Sequence, residues 1–292
     1  MWASVLNRQA GGASVLTVVL IGILWGLNWP AVKFMLTELP PLTLRAIAFP
    51  SAALLLASIA LATGQKIRPA RGERLPIIAT GLLLVFGFNI LTTFGQLVTE
   101  TSKAAIIAYT MPALTAGLAV IFLREPLGWR LVTALLIGMA SLVVLASEDF
   151  TAIAAGPAGL VIMLSAALSW ALGNVALKAR SWRLSPLALT IWFFTVSTVA
   201  VWPLVLAFEP PWEQAWPSWP VILTMTYHVL GPMVICYALW TLALGKLPVT
   251  VAAISTLTAP IVGVISAVIL LGEPMTWQKT LALLMVVTSI LA

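Results

Sequence analysis

Charged side chains are scarce in this sequence. Only 8% of its 292 residues are charged and 61% are hydrophobic, whereas a soluble domain carries roughly 25% charged residues. A soluble chain of this length could not bury so much apolar surface, so we expect the lipid bilayer to be its solvent. The formal net charge of +6 comes from cations scattered between apolar runs, which argues against a nucleic-acid partner.

Reactive side chains are scarcer still. Cys236 is the only cysteine, which excludes an intrachain disulfide and a thiolate metal cluster. His228 is the only histidine, and no two carboxylates share an apolar run. An intramembrane enzyme would need a nucleophile within reach of a base, and the sequence order does not place Cys236 or a serine beside His228. We therefore expect no enzyme, no cofactor and no metal site.

Ten apolar runs make up most of the chain, and each has about the length, roughly 20 residues, that crosses a bilayer. They cover residues 14–36, 41–62, 75–98, 102–122, 128–147, 156–178, 185–207, 218–243, 247–271 and 276–292. No joint between them is long enough to hold a soluble domain. The first run is too long for the apolar core of a signal peptide. The sequence therefore predicts an all-α polytopic membrane protein with ten transmembrane helices.

The second half of the sequence repeats the first. Three residues recur 148 positions further on, since Pro112, Glu125 and Trp129 reappear as Pro260, Glu273 and Trp277. The segment from Trp25 to Lys33 likewise resembles the segment from Trp170 to Lys178, 145 positions later. A period this long indicates two half-molecules. We predict one five-helix repeat over residues 1–147 and a second over residues 156–292.

An odd number of spans in each half turns the second repeat upside down relative to the first. A pseudo-two-fold axis in the membrane plane then relates the two repeats, with a central cavity between them. Eleven of the fifteen Lys and Arg residues fall on one side of the membrane, and positive charge marks the cytoplasmic side. We therefore expect both termini in the cytoplasm and the protein in the inner (plasma) membrane.

Polar and aromatic side chains inside the spans are the candidates for a site, because lipid cannot hydrogen-bond polar groups. Helical spacing puts Trp25 and Asn28 on one stripe of the first span, and Trp170 and Asn174 on one stripe of the sixth. We interpret these stripes as facing walls of a cavity. The alternative is that the tryptophans lie at the membrane interface and each asparagine bonds a neighbouring helix.

Prolines within the apolar runs mark candidate kinks. We single out four as candidate kink residues: Pro30, Pro112, Pro232 and Pro260. Each removes one helical hydrogen bond and frees the carbonyl four residues before it. Paired kinks in matching helices, as at Pro112 and Pro260, point to a substrate site at the midplane. A static kink that serves only packing is the alternative.

Four ionisable residues have more than one interpretation. His228 is a candidate proton carrier, although neutral hydrogen bonding is the commoner role; no Asp or Glu lies deep in a span, so transport either couples through His228 or runs downhill. Arg45 either snorkels, pairs with Glu38 or a helix end, or binds a substrate carboxylate. Glu125 and Glu273 precede prolines at helix starts, which favours N-terminal capping.

The repeated motifs resemble those of the EamA family of the drug/metabolite transporter superfamily. The opening Trp25-Gly26-Leu27-Asn28 is similar to the family's first-helix signature. Leu271-Gly272-Glu273 is similar to the turn that ends each repeat, whereas Leu123-Arg124-Glu125 departs from it at the glycine. The resemblance covers nearly the whole chain. It implies a ten-span exporter with an inverted five-plus-five arrangement, most similar to the aromatic amino acid exporters of the YddG type.

The family layout places the cavity among the third, fourth, eighth and ninth helices and their neighbours. It implies a set of substrate-binding residues that adds five side chains to the two stripes: Trp25, Asn28, Tyr109, Trp170, Asn174, Tyr227, His228, Tyr237 and Trp240. The implied substrate is an aromatic or other apolar amino acid, or a similar small metabolite, moved by alternating access. Another metabolite or drug class and a channel-like facilitator are the alternatives. Phosphorylated substrates rank lower because they need clustered cations.

Overall fold

A computed structural model describes residues 12–124, 128–148, 157–246 and 258–291. Within these ranges the regular backbone is helical, without strands, and forms ten helices. Seven are continuous: α1 (Gly12–Met35), α2 (Pro41–Ala62), α5 (Trp129–Ala146), α6 (Ala158–Lys178), α7 (Pro186–Phe208), α9 (Thr258–Leu271) and α10 (Trp277–Leu291). Three are composite: α3 (Arg74–Gly81, the π-helical Leu82–Gly87 and Phe88–Val98), α4 (Thr101–Ala108 and Met111–Leu123) and α8 (Trp219–His228, the π-helical Val229–Cys236 and Tyr237–Lys246).

The helices are built for lipid. Six of them, α2, α3, α4, α6, α7 and α8, are long and apolar enough to cross a bilayer by length and composition. Their outward faces carry large apolar side chains such as Leu54, Ile121 and Val199, which are 68–69% exposed. A soluble protein rarely leaves so much contiguous apolar surface in water. The prediction of an all-α polytopic membrane protein is therefore confirmed.

The helix pairings follow the predicted duplication. Helix α1 packs along α9, and its counterpart α6 packs along the second segment of α4. Helix α3 packs on α6, and α8 packs on α1. Helices α2 and α7 pair with each other, as do α5 and α10. Exchanging every helix for its counterpart in the other half converts each of these pairings into another that is present, which is what a pseudo-two-fold axis produces.

Residues at equivalent positions of the two repeats touch each other. Trp25 and Trp170, 145 positions apart, have ring centroids 5.7 Å apart. The Asn89 side-chain amide donates to the Tyr237 hydroxyl, 148 positions away, at 2.7 Å. Two related residues can meet only where the axis passes, so the axis runs through both contacts. All four side chains are buried at the junction of the halves.

The backbone ends α4 and α9 in the same way. Arg124 has a φ of 55° and Gly272, its counterpart 148 positions later, has a φ of 70°. Both residues are in the left-handed conformation that terminates many helices. Glycine adopts it without strain, whereas a residue with a Cβ atom does not. The first repeat therefore has arginine where the second has glycine, but the two turns have the same backbone conformation.

Carboxylates tie helix starts to distant parts of the chain. Both oxygens of Glu209, which follows α7, accept hydrogen bonds from the start of α2, at the Leu42 and Thr43 backbone N–H groups. Glu273 accepts from the Thr101 and Ser102 N–H groups at 2.6 and 2.8 Å. Glu273 thus caps a helix start, as predicted, but the helix is α4 and not α10, which follows it in sequence. Glu125 lies outside the described residues.

We expect Arg124→Gly to stabilise the protein by about 0.5–1 kcal/mol, because glycine relieves the left-handed strain. Gly272→Ala should destabilise it by about 1 kcal/mol, because alanine is strained in the left-handed conformation. No atom lies within 4 Å of the added Cβ, so a steric clash does not contribute. Thermal unfolding in detergent measures both changes. Arg124→Ala, which removes the charge but keeps the strain, is the control and should give no gain; a gain equal to that of glycine would contradict the explanation.

The Glu273 cap should make stability depend on acid pH. Burial raises the pKa of the Glu273 carboxyl, but hydrogen bonds from Ser102 and Thr101 and the nearby Lys279 ammonium outweigh burial, so the pKa lies below its ordinary value. Such a carboxylate stabilises the fold above its unfolded pKa of about 4.3 and loses this contribution as the pH falls through the folded pKa.

We therefore expect Glu273→Gln to lower the unfolding free energy by about 1 kcal/mol at pH 7, the usual cost of a lost cap. The difference from the wild type should stay constant down to about pH 5 and then narrow as the pH falls further. Thermal unfolding across this pH range measures it. Glu213→Gln, at an exposed position, is the matched control. A difference that widens in acid would overturn the assignment.

Candidate functional site

A small, partly open cavity lies on the pseudo-two-fold axis. Its volume is about 40 Å³, enough for roughly three water molecules but not for an amino acid. Side chains from α1, α2, α3, α4, α6 and α8 line it: Trp25, Asn28, Trp29, Val32, Arg45, Phe88, Asn89, Thr92, Gln96, Tyr109, Met111, Trp170, Met233 and Tyr237. The third, fourth and eighth helices thus line it, as the family layout implies, together with the first, second and sixth, whereas no described residue of the ninth does.

Aromatic rings make one side of the cavity. Trp170 contacts Trp25, Phe88 and Tyr237, with ring centroids 5.7, 4.7 and 5.8 Å apart. Trp25 and Tyr237 also meet edge to face at 5.9 Å. Edge-to-face and tilted contacts of this kind stabilise aromatic clusters beyond the apolar area that they bury. The wall is rigid and apolar, and it brings together α1, α3, α6 and α8.

A polar stripe on α3 adjoins the aromatic wall, since Asn89 donates to the Tyr237 hydroxyl. Asn89, Thr92, Thr93 and Gln96 follow each other at helical spacing and are all at least 96% buried. The sequence analysis missed this stripe, although four polar residues at helical spacing in an apolar run indicate a polar helix face. The Gln96 side-chain oxygen is buried and finds no hydrogen-bond partner among the described residues. It is an unused acceptor in the cavity wall.

Arg45 is buried beside the cavity, with 1% of its surface exposed. Its Nε donates to the Thr93 hydroxyl at 2.7 Å, and its Nη1 donates to His228 Nε2 at 2.9 Å. No carboxylate of the described residues forms an ion pair with it. The snorkelling and Glu38-pairing interpretations are wrong, because the guanidinium points inward and Glu38 binds the Ser218 backbone and hydroxyl instead.

The contact with Arg45 fixes the tautomer of His228. A guanidinium can only donate hydrogen bonds, so Nε2 of His228 must accept. Nδ1 therefore carries the proton and donates to the Asn28 side-chain oxygen at 2.6 Å. A second proton on the ring would set two donors and two positive charges against each other. His228 is thus neutral in this arrangement, which argues against a proton-carrying role here and favours the alternative of neutral hydrogen bonding.

The predicted binding residues divide into two layers. Trp25, Asn28, Tyr109, Trp170 and Tyr237 line the cavity. The other four, Asn174, Tyr227, His228 and Trp240, are not among the lining residues. The Trp240 indole N–H donates to the Asn174 side-chain oxygen at 3.1 Å, and the Tyr227 hydroxyl donates to the Leu24 carbonyl at 2.8 Å. His228 contacts the lining residues Asn28 and Arg45. For Asn174, the structure matches the alternative of an asparagine that bonds a neighbouring helix.

The four prolines occupy different local settings. Pro30 lies inside α1, and Pro232 lies inside the π-helical segment of α8. Pro112 is the second residue of the second segment of α4, which follows a break at Tyr109 and Thr110. Pro260 lies in α9, and the carbonyl that it would free, at residue 256, lies outside the described residues. The breaks in α3, α4 and α8 all lie near the cavity, although α3 has no proline in its π-helical segment.

Comparison with known proteins agrees with the fold and with the duplication. The model of the EamA-like transporter family matches residues 12–147 and again residues 157–292. A solved crystal structure superposes with a TM-score of 0.72 at 20% identity, covering 95% of this chain and 96% of the other. At that identity the superposition shows the fold alone.

Curated relatives are transporters. The chain is 26% identical over 282 residues to the uncharacterized transporter YvbV of Bacillus subtilis, covering 95% of this chain and 90% of that protein. It is 24% identical over 301 residues to a probable amino-acid metabolite efflux pump of Escherichia coli, covering 98% and 94%. Over 155 residues, 52% of this chain and 49% of the relative, it is 26% identical to the E. coli inner membrane transporter YedA. The chain thus belongs to the EamA-like transporter family and is a multi-pass membrane transporter, not an enzyme.

Proposed function

We propose that this protein exports amino acids with aromatic or other apolar side chains, and that Arg45 binds their carboxylate. The observation that carries the proposal is the buried guanidinium beside the cavity, which has no countercharge among the residues that the structure describes. A buried charge is costly until an opposite charge joins it. The name of the E. coli relative, a probable amino-acid metabolite efflux pump, supports the same substrate class.

Arg45 has donors left for a ligand. A guanidinium has five N–H groups, and the two hydrogen bonds to Thr93 and His228 use one each. These partners also fix the orientation of the side chain. A substrate carboxylate can therefore accept two parallel hydrogen bonds from a cation that is already in place. His228 and Asn28 act as positioning residues, because they hold Arg45 without presenting a charge of their own.

The rest of the cavity complements the rest of an amino acid. The unused oxygen of Gln96 lies on α3 one helical turn beyond Thr93, about 4.5 Å along the axis, and is the acceptor that we assign to the substrate ammonium group. The aromatic wall around Trp25 and Trp170 provides apolar surface for a side chain. Among the described residues, the Arg45 guanidinium lacks an anionic partner and the Gln96 oxygen lacks a donor. Together they complement the carboxylate and the ammonium group of a zwitterion.

Transport requires the cavity to open. Its volume of about 40 Å³ fits a closed state of a carrier better than an open pore. We propose that the two repeats, residues 1–147 and 156–292, rock about the axis and expose the cavity to each side in turn, with both termini in the cytoplasm. The breaks in α3, α4 and α8 are places where a helix can bend.

Counterflow in proteoliposomes against a panel of amino acids, with and without a pH gradient, tests the proposed function. We expect saturable exchange in which phenylalanine, tryptophan and leucine compete, while lysine and glutamate do not. Saturation and counterflow distinguish a carrier from a channel-like facilitator. Failure of every aromatic amino acid to compete would contradict the substrate class.

Replacing Arg45 by glutamine should remove carboxylate recognition. We expect phenylalanine exchange to fall about ten- to hundredfold, the worth of a charge-assisted hydrogen bond of roughly 1.5–3 kcal/mol. Competition by phenylalaninamide, which lacks the carboxylate, measures the selectivity for the acid over the amide. The wild type should prefer the acid, and R45Q should lose that preference. Arg180→Gln, at an exposed cation, should keep both rate and preference. An R45Q protein that still prefers the acid would refute the role of Arg45.

Gln96→Leu should affect the other end of the substrate. The change removes the free acceptor and keeps the volume of the side chain nearly constant. We expect the apparent affinity for phenylalanine to fall about tenfold, while 3-phenylpropanoate, which has no amino group, binds the variant at least as well as the wild type. Competition in the same proteoliposome assay measures both ligands. Equal losses for the two ligands would show a structural defect and contradict the assignment.

A further inference from the structure

A second cavity opens on the membrane-facing surface, between α3 of the first repeat and α7 of the second. It is a groove of about 810 Å³, and it shares no lining residue with the central cavity. Its walls are apolar, with Ile77, Ile78 and Leu82 on one side and Val196 and Val199 on the other. Ile78 and Val199 are 43% and 69% exposed, so the groove faces the lipid.

Two arginines stand at one end of this groove. Arg68 and Arg74 both line it and are exposed, and no carboxylate of the described residues forms an ion pair with either. Glu73, the acidic residue between them in sequence, is buried and accepts hydrogen bonds from the Ala70 and Arg183 N–H groups. Its charge is therefore engaged in the turn, and the two guanidinium groups are available at the mouth.

The loop that carries Arg68 is fixed against α7. The indole N–H of Trp192, itself a lining residue, donates to the Ile67 carbonyl at 2.6 Å. Arg180 adds a second tie, because its Nη1 donates to the Gly72 carbonyl at 3.2 Å. A fixed loop presents its cations in one place, which reduces the ordering cost of binding an anion.

We propose that this groove binds an anionic phospholipid, with its phosphate on Arg68 and Arg74 and an acyl chain along the apolar walls. Guanidinium groups bind phosphate with short, charge-assisted hydrogen bonds, and basic pockets between membrane helices suit anionic headgroups. From Arg74 to Leu82 the wall rises about 12 Å, most of the roughly 15 Å depth of one leaflet. The site is independent of the transported substrate.

The bound lipid would join the two repeats. Its headgroup contacts belong to the segment that begins α3, whereas half of the apolar wall belongs to α7. Helices α3 and α7 come from different halves of the duplication and pack on each other. A lipid in this groove therefore adds contacts across the interface that must rearrange when the halves move.

A matched pair of double variants tests the headgroup contacts. R68Q/R74Q removes the two arginines of the groove, and K66Q/R71Q removes two exposed cations of the same loop that do not line it. We expect the affinity for phosphatidylglycerol, measured by native mass spectrometry of the purified full-length protein, to fall about twenty-five-fold in R68Q/R74Q, since each arginine contributes about fivefold. K66Q/R71Q should lose less than about threefold. Equal losses in the two proteins would overturn the proposal in favour of diffuse attraction.

Two further measurements test the acyl chain. Ala200→Trp fills the groove and leaves every charge in place, so we expect it to weaken phosphatidylglycerol binding about tenfold or more. Glycerol phosphate, a water-soluble headgroup without chains, should not raise the thermal stability at a concentration at which phosphatidylglycerol does. Protection by glycerol phosphate equal to that by the lipid, or unchanged lipid binding in A200W, would show an anion site without a chain groove and contradict the proposal. Stronger binding of phosphatidylcholine than of phosphatidylglycerol would contradict it as well.

Discussion

A buried positive charge, with no countercharge in the described part of the chain, organises the centre of this protein. Lipid cannot solvate the Arg45 guanidinium, so the surrounding helices must supply its partners. They supply a hydroxyl from α3 and a neutral imidazole from α8, and the imidazole is held in turn by Asn28 of α1. These contacts join four helices and leave the charge itself uncompensated. The neutrality of His228 and the position of the polar stripe both follow from this single requirement.

The duplication shows how a symmetric scaffold acquired an asymmetric site. Arg45 and Thr93 form a hydrogen bond in the first repeat, and their counterparts Thr190 and Thr241 form one in the second, at 3.0 Å between hydroxyl oxygens. The pairing is the same, but only one copy carries charge. The axis itself passes through the Trp25–Trp170 contact and through the Asn89–Tyr237 contact. One cation beside a two-fold axis gives the cavity a polar end and an aromatic end, which is the polarity of an amino acid.

The sequence predicts the helices well and the side-chain environments less well. Apolar runs and the 145- and 148-residue offsets are local patterns, and they define the spans and the repeats. Burial of Arg45 is a tertiary property, because a snorkelling arginine and a buried one have the same sequence signature near a span end. Glu273 caps α4 across 171 and 172 positions, a partnership that no local motif encodes. The polar stripe from Asn89 to Gln96, by contrast, was visible in the sequence as a helical period.

The two repeats must move against each other if the small cavity is to admit a substrate, and distances at the two membrane faces report that movement most directly. Spin labels at Thr37 and Trp216 span one face, and labels at Thr63 and Ser181 span the other; all four positions are exposed. With Cys236 replaced by alanine, electron–electron double resonance in nanodiscs gives both distances with and without phenylalanine. The account predicts that phenylalanine changes the two distances in opposite directions. Two distances that stay fixed, or that change in the same direction, would contradict it.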